Sequence, residues 1–156
     1  MKCILKIGLI LGSFFFYKTS FSQIKTYQFD QIESLQKLEP KKCVVFIYTD
    51  WCKYCEMMKN TTFLNQTIIK ELNDNFYFIS LNAEENESIN FNGQTFEFKP
   101  TGPDTGVHEL ALELGSIDNQ LTFPTICFLN KGNEIIYQLN QYAKTEELIV
   151  ILNQLK

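Results

Sequence analysis

The strongest constraint on this chain is an apolar run that ends in a pair of cysteines. Cys43-Val-Val-Phe-Ile-Tyr-Thr49 is short, continuous and rich in β-formers. Such a run predicts a strand buried on both faces of a sheet. Asp50-Trp51-Cys52-Lys53-Tyr54-Cys55 follows at once, and Glu56 to Asn60 reads as a helix. Cys52 thus marks the point where a buried strand gives way to a helix. Backbone N–H groups at a helix start favour negative charge, so a cysteine there is stabilised as the nucleophilic thiolate. Cys55 lies one turn later, close enough to close a disulfide onto Cys52. A Cys-x-x-Cys pair can bind metal, staple a loop or shuttle electrons. No second such pair, and no pair of histidines, completes four ligands for a metal. The position favours reversible exchange, which needs little backbone motion.

The remaining pattern alternates strands with helices. Asp30 and Glu33 have the spacing of a capping box, and Ile32, Leu35 and Leu38 continue at helical intervals up to Pro40. Asn65 to Leu72 predicts a second helical piece, and Phe76 to Leu81 a second buried strand. Ile89 to Phe91 and Thr95 to Phe98 flank Asn92-Gly93, a strong hairpin signal. A loop with Pro100, Gly102, Pro103 and Gly106 then leads to an expected helix from Val107 to Leu114. Ile126 to Leu129 and Glu134 to Leu139 predict two strands joined at Lys131-Gly132-Asn133. A last helix starts near Thr145, with Leu148, Ile151, Leu152 and Leu155 on one face. This order predicts an α/β domain: a central mixed β-sheet flanked by helices, with a β-hairpin insertion around residues 88–100.

The N-terminus has a different character. Lys2 and Lys6 precede an apolar run from Ile7 to Phe16, and Ser20 and Ser22 follow it. That layout predicts a secretory signal peptide over 1–22, cut between Ser22 and Gln23, and a single domain over 23–156. The expected location is therefore outside the cytoplasm, periplasmic or extracellular. The full chain carries 14 basic and 18 acidic residues. Residues 1–22 hold three of those lysines and no acid, so the remainder has 11 bases, 18 acids and a net charge of −7. That balance argues against nucleic acid or an anionic membrane surface as partner. Cys3 leaves with the signal, and Cys43, Cys52, Cys55 and Cys127 remain. Cys43 and Cys127 lie in apolar strand sequence and read as buried small hydrophobes.

Trp51-Cys52-Lys53-Tyr54-Cys55 resembles the active site of the thioredoxin family. Phe123-Pro124-Thr125, opening a strand about 70 residues on, resembles that family's cis-proline segment. Together with Thr62-Phe63 and the signal layout, the likeness is nearest to exported thioredoxin-like proteins such as the C-terminal periplasmic domain of DsbD. The resemblance covers residues 40–156 and implies the thioredoxin fold, a cis bond before Pro124, and catalysis by Cys52 and Cys55. It implies that Trp51, Phe123 and Pro124 bind the partner, and that the Cys52–Cys55 disulfide is the only redox group, with no cofactor or metal. The implied activity is thiol–disulfide exchange on protein thiols and disulfides of the cell envelope, running as a reductase with a membrane electron donor. Within the same fold, a disulfide oxidant or isomerase, or a non-catalytic peptide-binding module, are the other readings.

Two positions depart from the family pattern. Thioredoxin has a buried aspartate six residues before its first active-site cysteine, where this chain has Phe46. The lysine that partners it corresponds to Ser80. Glu84 or Asp50 are the acids available to take that aspartate's part, and Lys53 and Tyr54 are placed to tune Cys52. His108, the only histidine, is expected at a helix start, hydrogen-bonded there.

Overall fold

The computed structural model describes residues 23–103 and 105–156. The expected signal segment 1–22 lies outside them. The core of the fold is a four-stranded sheet. Its central strand β1 (Lys42–Tyr48) pairs in parallel with β2 (Phe76–Asn82). On its other side β1 pairs antiparallel with a later strand, Thr125–Leu129, which in turn pairs antiparallel with the edge strand Ile135–Leu139. The sheet is therefore mixed. The run from Cys43 to Ile47 is buried without a break, as a strand covered on both faces must be.

Each face of the sheet has its own apolar layer. Val44 and Phe46 project into one with Phe76 and Phe78. Helices α2 (Lys53–Asn60) and α3 (Gln66–Asn75), together with the C-terminal helix Thr145–Leu155, cover it through Met58, Ile68, Leu72, Leu148 and Leu152. Cys43, Val45 and Ile47 project into the other, which helix α1 (Phe29–Leu38) covers with Phe29 and Ile32. Burying each such side chain contributes roughly 1.5–3 kcal/mol. Helix α1 begins two residues before the expected box: Gln28 is its N-cap, and the Gln31 side chain accepts from the Gln28 N–H at 3.1 Å. Asp30 and Glu33 lie inside the helix instead. Asn65 caps α3 by accepting from the N–H groups of Thr67 and Ile68.

The insertion after β2 holds two hairpins. Strands β3 (Ile89–Phe91) and β4 (Gln94–Phe96) turn at Asn92 and Gly93, with φ of 56° and 72°. Both values are positive, as a two-residue primed turn requires. Strands β5 (Phe98–Gly102) and β6 (Thr105–His108) form the second hairpin. Gly106 is needed there, because a Cβ would stand 2.2 Å from Cζ of Phe98 and 2.6 Å from the Lys99 carbonyl oxygen. The segment read as loop and then helix from Val107 is thus strand as far as His108. Helix α4 runs Glu109–Gly115 and packs Leu110, Ala111 and Leu114 under the sheet. A further two-residue ladder, β7 (Ser116–Ile117) with β8 (Gln120–Leu121), turns at Asp118 and Asn119, both at positive φ. Strands β9 (Thr125–Leu129) and β10 (Ile135–Leu139) and helix α5 (Thr145–Leu155) then complete the domain. Among the described residues no helix is long and apolar enough to cross a membrane.

Candidate active site

Cys52 sits at the mouth of α2 because β1 ends one turn before it. The Cys52 N–H donates to the Thr49 carbonyl at 3.2 Å, closing a tight turn from strand to helix. Cys52 is then the N-cap of α2, and its Sγ accepts from the Cys55 N–H at 3.1 Å. A sulfur in that place meets the unpaired donors of the first turn, which favour an anion. Cys52 and Cys55 are joined in a disulfide, with Cα atoms 5.2 Å apart. Cys52 keeps 6% of its surface exposed and Cys55 none. An incoming sulfur atom therefore meets Cys52 first.

The rim is aromatic. Trp51 is 66% exposed and Tyr54 60%, unusual for side chains of that size. The Phe123–Pro124 peptide bond is cis, and the Phe123 ring meets the Trp51 ring edge-on with centroids 5.8 Å apart. The proline loop and the residue before Cys52 are thus parts of one surface. Tyr54 faces Tyr142 at 6.2 Å. Tyr142 was not singled out by the sequence; it lies in the turn before α5, far along the chain. Thr62 ties that turn down, its hydroxyl donating to the Ala143 carbonyl at 2.9 Å.

Two of the flanking polar side chains, Trp51 and Asp50, have hydrogen-bond partners. Trp51 Nε1 donates to Glu84 Oε1 at 3.0 Å. Asp50 is exposed and accepts from the Asn82 amide at 3.4 Å. Lys53 is exposed. Among the described residues the buried polar side chains are Thr49, Thr62, His108 and Thr125, so no carboxylate or lysine is buried beside Cys55. His108 is fully buried and caps α4: Nδ1 accepts from the Leu110 N–H at 3.1 Å, and Nε2 lies 3.2 Å from the Glu87 carbonyl. Nδ1 is thus the accepting nitrogen of the ring, and the Glu87 carbonyl is placed to accept from Nε2. Cys43 and Cys127 form no disulfide and are fully buried, and burial pushes each thiol up to about 12. They are inert beside a helix-start cysteine. No three His, Cys, Asp or Glu side chains among the described residues are grouped to hold a metal ion.

The fold recurs in solved structures. A thioredoxin from Thermus thermophilus superposes with a TM-score of 0.59 at 18% identity, over 85% of this chain and 86% of that one. The reduced C-terminal domain of DsbD from Neisseria meningitidis gives 0.55 at 18% identity, over 81% and 92%. An oxidoreductase named DsbH gives 0.55 at 11% identity, over 85% and 83%. No curated protein is similar enough in sequence to count as a match. A dithiol–disulfide couple set at a helix start on this fold is the arrangement of a thiol–disulfide oxidoreductase. The model of the thioredoxin-like domain matches residues 29–156, and the chain belongs to that family.

Proposed function

We propose that this protein reduces disulfides of other proteins outside the cytoplasm. The observation that carries the reading is the asymmetry of the pair: an outer sulfur at the start of α2 and an inner one fully buried. In the dithiol form, the Cys52 thiolate attacks one sulfur of a partner disulfide. An S–S bond forms between the two proteins, the partner's other sulfur leaves as a thiolate, and it takes up a proton. Cys55 then loses its proton and attacks Cys52. The internal disulfide forms, and the second partner sulfur leaves as a thiol. Two electrons pass to the partner, and a membrane-bound donor returns the pair to the dithiol. Reversed, the same steps oxidise a dithiol.

Trp51, Phe123 and Pro124 hold the partner's chain across Cys52, and Lys53 and Tyr54 tune the thiolate. The charged start, apolar run and small residues of 1–22 support export.

A Cys55→Ser variant tests the assignment in the native host. It should accumulate mixed disulfides through Cys52, and a Cys52→Ser variant should accumulate none. Equal trapping by both would overturn the roles. Equilibration of the wild type with glutathione of known poise fixes the direction, since a tenfold change in the equilibrium constant corresponds to about 30 mV.

A further inference from the structure

Beside Trp51 the insertion opens a groove of about 400 Å³, lined by Glu84, Asn86, Phe98, Pro100, Thr105 and Gly106 among others. One wall is the second hairpin, β5–β6. The other is the turn that leaves β2. The groove shares one residue with the active-site rim: Glu84 lines it, and the Glu84 carboxylate receives the Trp51 indole N–H.

Among the described residues the charge in this groove is one-sided. Glu84 is the only charged residue lining it among those described. Its Oε1 is taken by Trp51, and Oε2 has no hydrogen-bond partner among the described residues. The lysine nearest in sequence on the hairpin, Lys99, is held by Glu109 at 2.8 Å and does not line the groove. The remaining lining is apolar or neutral: the Phe98 ring, two prolines, a threonine, an asparagine and two glycines. A long aliphatic stem ending in a cation matches that lining, with methylenes along the ring and prolines and the charge at the free oxygen.

Resting on the oxidoreductase reading, we propose that this groove is a second anchoring subsite for the partner polypeptide. It takes a lysine or arginine side chain within a few residues of the partner's reactive cysteine. Glu84 is its specificity-determining residue. Trp51, the neighbour of Cys52, bonds Glu84 directly, and an extended chain advances about 3.3 Å per residue, so the cation of a segment whose cysteine lies at Cys52 is sought within a few residues of that cysteine.

Matched disulfide-bonded peptides that carry either one lysine or one glutamate, moved stepwise away from the cysteine on each side, test the subsite. The wild-type protein should prefer lysine about tenfold in kcat/KM at one or more positions. That preference should shrink in half-molar salt. Glu84→Gln keeps an oxygen for the indole N–H and should bring the ratio within about twofold, through KM rather than kcat. Unchanged Trp51 fluorescence in that variant would show that the indole has not moved. Thr105→Lys should reverse the preference towards glutamate. A lysine preference that survives in Glu84→Gln would overturn the subsite. So would no preference at any position in a wild-type protein that reduces insulin. A wild-type protein that fails to reduce insulin would overturn the oxidoreductase reading, and the subsite with it.

Discussion

Phe46 stands directly opposite Ser80 in the parallel pairing of β1 with β2. These are the two positions at which the thioredoxin pattern has an aspartate and a lysine. Here the first is an aromatic ring, 1% exposed, packed edge-on against Phe63 at 4.9 Å and stacked on Tyr48. The second is an exposed hydroxyl. Cys55 shares the Phe46 layer with Met58, Phe63 and Ile126, among which nothing can accept a proton.

The resolving step should therefore follow hydroxide. With no buried carboxylate beside Cys55, the rate at which Cys55 displaces the partner should rise about tenfold per pH unit through the neutral range, because only the thiolate attacks. Stopped-flow measurement of mixed-disulfide decay against pH checks this. A plateau beginning near pH 7 would mean that a carboxylate such as Glu84 or Asp50 serves as the base after all.

His108 should matter for stability and not for chemistry. Both of its ring nitrogens are occupied, by the Leu110 N–H and the Glu87 carbonyl. His108→Ala leaves those two groups unpaired in a buried site and opens a cavity, at a cost of about 2–4 kcal/mol. The melting temperature should fall by several degrees, while insulin reduction per folded molecule stays the same. A large loss of turnover at full stability would give His108 a catalytic part.

Above pH 9 the protein should lose stability through two thiols that play no part in exchange. Burial raises Cys43 and Cys127 from an ordinary 9.0 to about 12. Unfolded chains release these protons first, so the thiols favour the fold below pH 9, and that advantage drains away between 9 and 12. The limit is about 4 kcal/mol per thiol. A Cys43→Ala/Cys127→Ala protein should show a shallower alkaline decline in denaturant melts, and identical slopes would contradict the assignment. Alkylation at pH 8 should spare both cysteines in the folded protein.

The sequence made the centre of the fold legible because there the local and global demands coincide. Cys43 to Thr49 has no polar residue before Thr49 for a strand to expose, and Cys52 falls one turn past its end. Asn92-Gly93 announced its hairpin because few residue pairs accept two positive φ angles. Thr105-Gly-Val-His108 reads as the end of a loop and the first residues of a helix, whereas it is a strand and the helix begins at Glu109. Four residues carry no period, and their strand character comes from pairing with Phe98 to Gly102. The start of α1 was read two residues late because Gln28 is an uncommon cap, whereas Asp30 is a common one. At the site, the cysteines and Trp51 were visible as a motif. The partnership of Glu84 with Trp51, and the place of Tyr142 beside Tyr54, join residues 33 and 88 positions apart. No local pattern records such a meeting.

Trp51 is the chain's single tryptophan. Its indole is next in sequence to one sulfur of the pair, anchored by Glu84 and open to water. All of the molecule's indole emission therefore originates beside the redox centre. Opening the disulfide should change its brightness, so each molecule is its own gauge of oxidation state, readable in a cuvette without any added dye.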